Sequence, residues 1–250
     1  MISYAPLVAR AEIAMAGIGA RRMPLAAVAV CLVVLAVAGS RLARELLRGP
    51  TAAERADASA AEVAGRWRAW PTGRLFPDAL RYSLDQGSAE RSRRVGIASA
   101  TSCRDAVDPT LGASLAVRGC RGVLRATYLD QLQGIAVTLG IVAFPDEPSA
   151  RAAARWFPAR GAAVPGLRAL GFPGSVVGRF GDASRQTAAL GQRGPYIVAA
   201  TVGYADGRPT LRVKQQQDDL AELGPQLVED VLRPLSAPAS VQCGEREWAC

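Results

Sequence analysis

At 250 residues the chain exceeds one ordinary domain, but its first 50 or so do not read as globular, leaving enough for one buried core. The formal charge of +8 is uneven: six Arg against Glu12 and Glu45 put +4 into residues 1–50, and the rest is spread with no dense basic run or nucleic-acid motif. Nucleic acid is therefore not an expected partner, and with no His anywhere a Ser-His-Asp triad, a Cys-His dyad and a His-ligated metal are excluded.

Residues 1–22 are expected to be a cytoplasmic N-terminal segment and 23–48 a transmembrane helix with its flank. Met23 to Ser40 holds 18 uncharged residues between Arg21-Arg22 and Arg41/Arg44, which is just long enough to span hydrocarbon. A cleaved signal peptide is the competing reading, because Ala36-Val37-Ala38 has the small-x-small form of a cleavage site. Cys31 follows Val30, where a lipobox would have a small residue, so it reads as a small apolar side chain.

Flanking arginines do not choose the orientation, since three precede the segment and four follow it closely. The cysteines do. Cys103/Cys120 and Cys243/Cys250 fall as two spaced pairs beyond the apolar stretch, a disulfide pattern that belongs outside the cytoplasm. A zinc site is disfavoured, for the spacings lack a Cys-x2-Cys knuckle and there is no His to complete one. Each pair closes a short loop, so the expected connectivity is Cys103–Cys120 and Cys243–Cys250.

Gly49-Pro50 stops the first helix, and Thr51-Ala-Ala-Glu54 forms a capping box for a helical stalk over 51–70. Its apolar stripe, Ala56, Ala60, Val63, Trp67 and Trp70, should dock its Trp end on the following domain, 71–250. Arg74 to Ser83 leads into a strand, Gln86 to Arg94 is expected as a loop, and Val95 to Ala98 as a second strand. Asp108-Pro109 opens a short helix that Gly119 closes.

Val123–Leu129 and Ile135–Phe144 form a hairpin, Ser149–Phe157 a helix, and 158–181 a Gly/Pro-rich stretch anchored by Leu167, Leu170, Phe172 and Val176. A second hairpin, 186–190 with 196–204, is followed by a helical region to Leu232 that breaks or restarts at Gly224-Pro225. Hairpin, helix, hairpin, helix implies an α+β fold: an antiparallel sheet with helices packed on one face.

The Arg-Arg before the apolar segment, Trp70-Pro71, Arg94-Val-Gly-Ile-Ala98, Ser102-Cys103, Gly119-Cys120, Phe144-Pro-Asp146, Gly203-Tyr-Ala-Asp-Gly207 and the Cys-ending tail resemble uncharacterised actinobacterial membrane-anchored proteins. That resemblance covers nearly the whole chain and implies placement at the cell membrane, but no activity. In layout alone the domain is similar to extracellular sensor domains of mycobacterial Ser/Thr kinases and to PsbP-like lipoproteins.

Chemistry is sparse. Asp130 and Asp146 stand as candidates for a hydrolytic carboxylate pair, yet each sits at a strand end where Asp serves turns. Lys214, the sole lysine, lies among polar residues and makes a poor Ser-Lys base. No phosphate loop, dinucleotide fingerprint or calcium loop is present, and no cofactor is expected. Arg91, Arg93, Arg94 and Arg208 offer contact with an anionic wall polymer or lipid headgroups, or else a solvated basic loop. The expected function is a non-catalytic, membrane-anchored extracytoplasmic binding or assembly module, with an envelope protein or wall polymer as partner; an envelope hydrolase using carboxylates is the alternative.

Overall fold

The computed structural model describes residues 22–84, 89–158, 161–209 and 214–241, with side chains from residue 25 in the first helix and from residue 220 in the last. Cys243, Cys250 and the first 21 residues lie outside the described residues, and so does the side chain of Lys214. The chain divides into two compact units, Met1–Thr51 and Ala52–Cys250.

In the first unit, helix α1 spans Arg22–Leu47, and its stretch Leu25–Leu47 is long and apolar enough to cross a membrane, with none of it buried. At 1.5 Å per residue it reaches about 35 Å, against a hydrocarbon core of about 30 Å. Leucine and valine face outward all round it, a pattern suited to lipid and costly in water.

The second unit runs α2 (Ala52–Ala69), α3 (Thr72–Leu75), β1 (Ala79–Tyr82), β2 (Glu90–Ile97), α4 (Pro109–Val117), β3 (Gly122–Leu129), β4 (Ile135–Ala143), α5 (Glu147–Ala154), β5 (Arg185–Arg193), β6 (Tyr196–Tyr204) and α6 (Lys214–Ser236). The strands form one sheet in the order β1-β2-β3-β4-β6-β5, antiparallel at every step. Both expected hairpins are present, and the α+β class with helices packed on an antiparallel sheet is the fold the chain adopts.

Side-chain alternation sorts the sheet into two faces. On one, Val137, Leu139 and Ile141 of β4 join Tyr196, Val198 and Val202 of β6 under the two long helices, which contribute Val63 and Trp67 (α2) and Leu223, Leu227 and Val231 (α6). This is the inner face. The sheet wraps α6 so far that helix side chains reach the outer edge of β1: Asp230 accepts from Arg81 N, and Gln226 both accepts from Ser83 N and donates to its carbonyl.

The opposite, outer face is covered too, though by shorter pieces. Leu111 and Leu115 of α4, Ala150 and Ala153 of α5, and Leu167 of the Gly/Pro-rich stretch pack on Val123, Val142 and Ile197. Glycines in the strands make the seats for that stretch: a Cβ at Gly140 would stand 2.6 Å from Leu167, and one at Gly96 2.6 Å from the Phe172 ring. Phe144 and Tyr196 are fully buried, as a sheet covered on both sides requires.

Three local expectations are corrected. β2 begins at Glu90, inside the expected loop, because its Arg91 and Arg93 point to an uncovered part of the outer face while Ser92 faces inward, so the strand lacks an apolar signature. Val177 and Phe180 anchor the Gly/Pro-rich stretch, whereas Val176 is 55% exposed. Finally, α6 runs unbroken through Gly224-Pro225. There the missing side chain of Gly224 admits the sheet, a Cβ at that position falling 3.1 Å from Ala189.

Candidate functional site

The two carboxylates singled out in the sequence are both held by backbone. In the β3–β4 turn, Asp130 accepts from Ile135 N at 2.7 Å and Leu132 N at 3.2 Å. Asp146 caps α5 by accepting from Ser149 N at 2.8 Å, and the Ser149 hydroxyl and N–H together hold its carboxyl below the usual carboxylate range. Each side chain has the local turn or cap role that its neighbours Gly, Pro and Ser suggest. Among the described residues no group of three or more His, Cys, Asp or Glu could hold a metal ion.

A different carboxylate, Asp108, matters more to the architecture. It stands at the N-cap position of α4 without capping it. Its oxygens instead receive both terminal nitrogens of Arg185, at 2.9 and 3.0 Å, together with Gly166 N at 2.7 Å. Burial alone would raise the Asp108 pKa, but the Arg185 hydrogen bonds, the Gly166 N–H and the guanidinium charge outweigh it and hold the carboxyl below its ordinary value. Arg185 is nearly buried and also donates to the carbonyls of Ala163 and Leu167, so one side chain ties β5, α4 and the Gly/Pro-rich stretch together.

Hydroxyls extend this polar fastening. Thr127, Thr138 and Thr201 stand side by side across β3, β4 and β6, all fully buried. Thr127 donates to Leu170 O at 2.6 Å while Thr138 accepts from Leu170 N at 3.0 Å, so the sheet grips both backbone groups of one loop residue. The Thr201 hydroxyl has no hydrogen-bond partner among the described residues. Cys103 and Cys120, packed against the cluster that holds α4, are joined in a disulfide with Cα atoms 6.4 Å apart, bracketing α4 as expected.

The arginine cluster of the sequence is divided by the fold. Arg94 turns to Asp78 and to the Phe76 carbonyl. Arg208 pairs with Asp206 at 3.2 Å and stacks over Tyr204. Arg91 and Arg93 remain exposed, and Arg81 of β1 joins them directly opposite Arg91, on the same outer face. These three have no carboxylate partner within 4.0 Å among the described residues. They flank a groove of about 600 Å³ between β2, the Asp130 turn and the Gly174–Val176 loop, with Arg91 and Arg93 in its wall.

Sequence reading missed Arg66, which is 5% exposed. It donates to the carbonyls of Pro234, Leu235 and Ala237 while pairing with Glu62 at 2.7 Å, thereby capping the C-terminus of α6 from α2. Nothing in the linear pattern marks it, because its partners lie about 170 positions away. Tyr196 makes a second link between sheet and α2, donating to Val63 O and accepting from Trp67 N; burial pushes its pKa up to about 12.

No family model matches the chain, and no curated protein or solved structure matches it either.

Proposed function

We propose that the protein is a membrane-anchored binding module: α1 holds it in the cell membrane, and the domain from Ala52 onward stands outside the cytoplasm and recognises an envelope component without chemical turnover. The observation that carries this reading is the disulfide Cys103–Cys120 in a chain whose α1 is long and apolar enough to span a bilayer. A disulfide of this kind persists in oxidising compartments and is rare in the cytosol. The non-catalytic half of the reading draws support from Asp130 and Asp146, whose oxygens are engaged with turn and cap N–H groups.

A phosphatase fused to the C-terminus is expected to be active, and a reporter that works only in the cytoplasm to be silent there. The reverse pattern overturns the placement. Asp130→Asn and Asp146→Asn are each expected to restore the phenotype of a deletion strain. If a stably folded variant of either kind failed to do so, a carboxylate hydrolase would replace the binding module.

A further inference from the structure

We infer that the exposed outer face of β1 and β2 is a docking surface for a soluble polymer of phosphodiesters, gripped by Arg81, Arg91 and Arg93. This names the ligand class of the binding module proposed above and rests on that reading.

The first argument is placement. Arg81 and Arg91 are register partners, which sets their Cβ atoms about 5 Å apart, and Arg93 follows Arg91 on the same face about 7 Å along the strand. Like charges directly opposite on a sheet repel. The pair is therefore a standing disadvantage to the free fold, and an anion lying between the two guanidiniums would relieve it.

The second argument is that the acidic groups around these arginines are committed elsewhere. Glu90 receives the Tyr82 hydroxyl, Asp78 pairs with Arg94, Asp130 is taken up by its own turn, and Asp230 by the backbone of Arg81. Among the described residues none of the three guanidiniums has a carboxylate within 4.0 Å, while Glu90, Asp130 and Asp230 keep their charge nearby but are turned to other donors. A guanidinium presents paired N–H donors that match two oxygens of one phosphate, a preference that a plain cation lacks.

Third, the surface has a floor and walls. Arg91 and Arg93 line the groove of about 600 Å³ together with Arg94, which is paired with Asp78, the neutral Gln131, Gln133 and Ser175, and Asp130, whose carboxylate is turned to the N–H groups of its own turn. An elongated chain of repeated phosphates fits an open groove fronted by a row of arginines better than a single small anion does. Its path would run from Arg81 across Arg91 and Arg93 into the groove.

The test uses the full chain in a non-ionic detergent and, as probe, a short fluorescent poly(glycerol phosphate). Binding is expected, with a log–log salt slope of about 2 for three neutralised phosphates, so affinity should fall roughly 15-fold between 50 and 200 mM salt. Each of Arg81→Gln, Arg91→Gln and Arg93→Gln should lower that slope by about 0.7, and the triple variant should lose at least tenfold in affinity at low salt. Arg118→Gln, exposed at the C-cap of α4 and outside the groove lining, should change neither quantity.

Because the slope is read on single exposed substitutions, the result does not depend on the triple variant folding. Unchanged binding by the triple variant, equal affinity for poly-glutamate of the same charge, or binding only to phosphatidylglycerol vesicles would each overturn the inference. An active phosphatase fusion together with absent polymer binding sinks this inference alone. A silent fusion with intact polymer binding sinks the extracytoplasmic reading and leaves the docking surface standing.

Discussion

The two faces of the sheet are held by different physics. On the inner face, two long helices meet an almost wholly apolar surface, and adhesion scales with area. On the outer face the covering pieces are short, and hydrogen bonds, an ion pair and a disulfide fasten them at named points. An area-driven contact accepts many sequences, whereas a fastened one depends on single residues. The inner face should therefore lose stability in proportion to removed volume, and the outer face in steps.

The largest effect is expected on the inner face. Leu227→Ala, at a fully buried position of α6, should destabilise the full chain in detergent by about 4 kcal/mol through lost burial and a residual cavity. Denaturant midpoints measure it, and a loss under about 1 kcal/mol would show that α6 is loosely seated.

Next comes the outer ion pair. Asp108→Asn leaves Arg185 charged and nearly buried, at an expected cost of about 3 kcal/mol. The Asp108 carboxyl is held below its ordinary 3.8 in the folded state, so its contribution is present above that value and disappears as pH falls through the lowered one. Parent and variant should accordingly differ most near neutrality and converge below about pH 4. Asp146 is shifted in the same direction and is present in both proteins, so it drops out of the difference. A gap that persists undiminished in acid would dissociate the effect from the carboxylate.

Cys120→Ser should cost a similar amount, about 3 kcal/mol for a closed loop of this size, and reductant should lower the melting temperature of the parent more than that of the variant. Peptide mapping under non-reducing conditions should recover Cys103 linked to Cys120.

The smallest change is expected to have the opposite sign. Thr201→Val removes a buried hydroxyl that has no partner and keeps the shape, so it should stabilise by about 1 kcal/mol. A loss there would show that the hydroxyl is engaged and that the threonine row is a continuous three-member network.

How much of this could be read from the sequence follows the same division. The apolar run of α1, the alternating strands of both hairpins and the periodic leucines of α6 announce themselves because area-driven packing leaves repeating patterns. Asp108-Pro109 correctly marked the start of α4, but the carboxylate's true partner is 77 positions away, and no spacing rule connects it to Arg185. Likewise Arg91 and Arg93 stood out as neighbours in sequence, whereas Arg81 entered the same surface only through strand pairing. Arg94, adjacent in the chain, also lines the groove, but its charge is taken up by Asp78. Point-to-point fastenings join residues by tertiary coincidence and carry no period.

The way α6 and its trailing segment close the unit bears on the order in which the chain can become structured. Arg66 and Ser59, near the start, find their partners at Leu235 and Ala239, and the rim of β1 is finished only by Gln226 and Asp230. A polypeptide emerging N-terminus first would carry an unfinished strand rim and a bare apolar hollow until α6 had been made. Contacts so distant along the chain slow folding by loop entropy. The unit should reach its mature form only once α6 and the residues just after it have been made, in a cooperative step set by the docking of that helix.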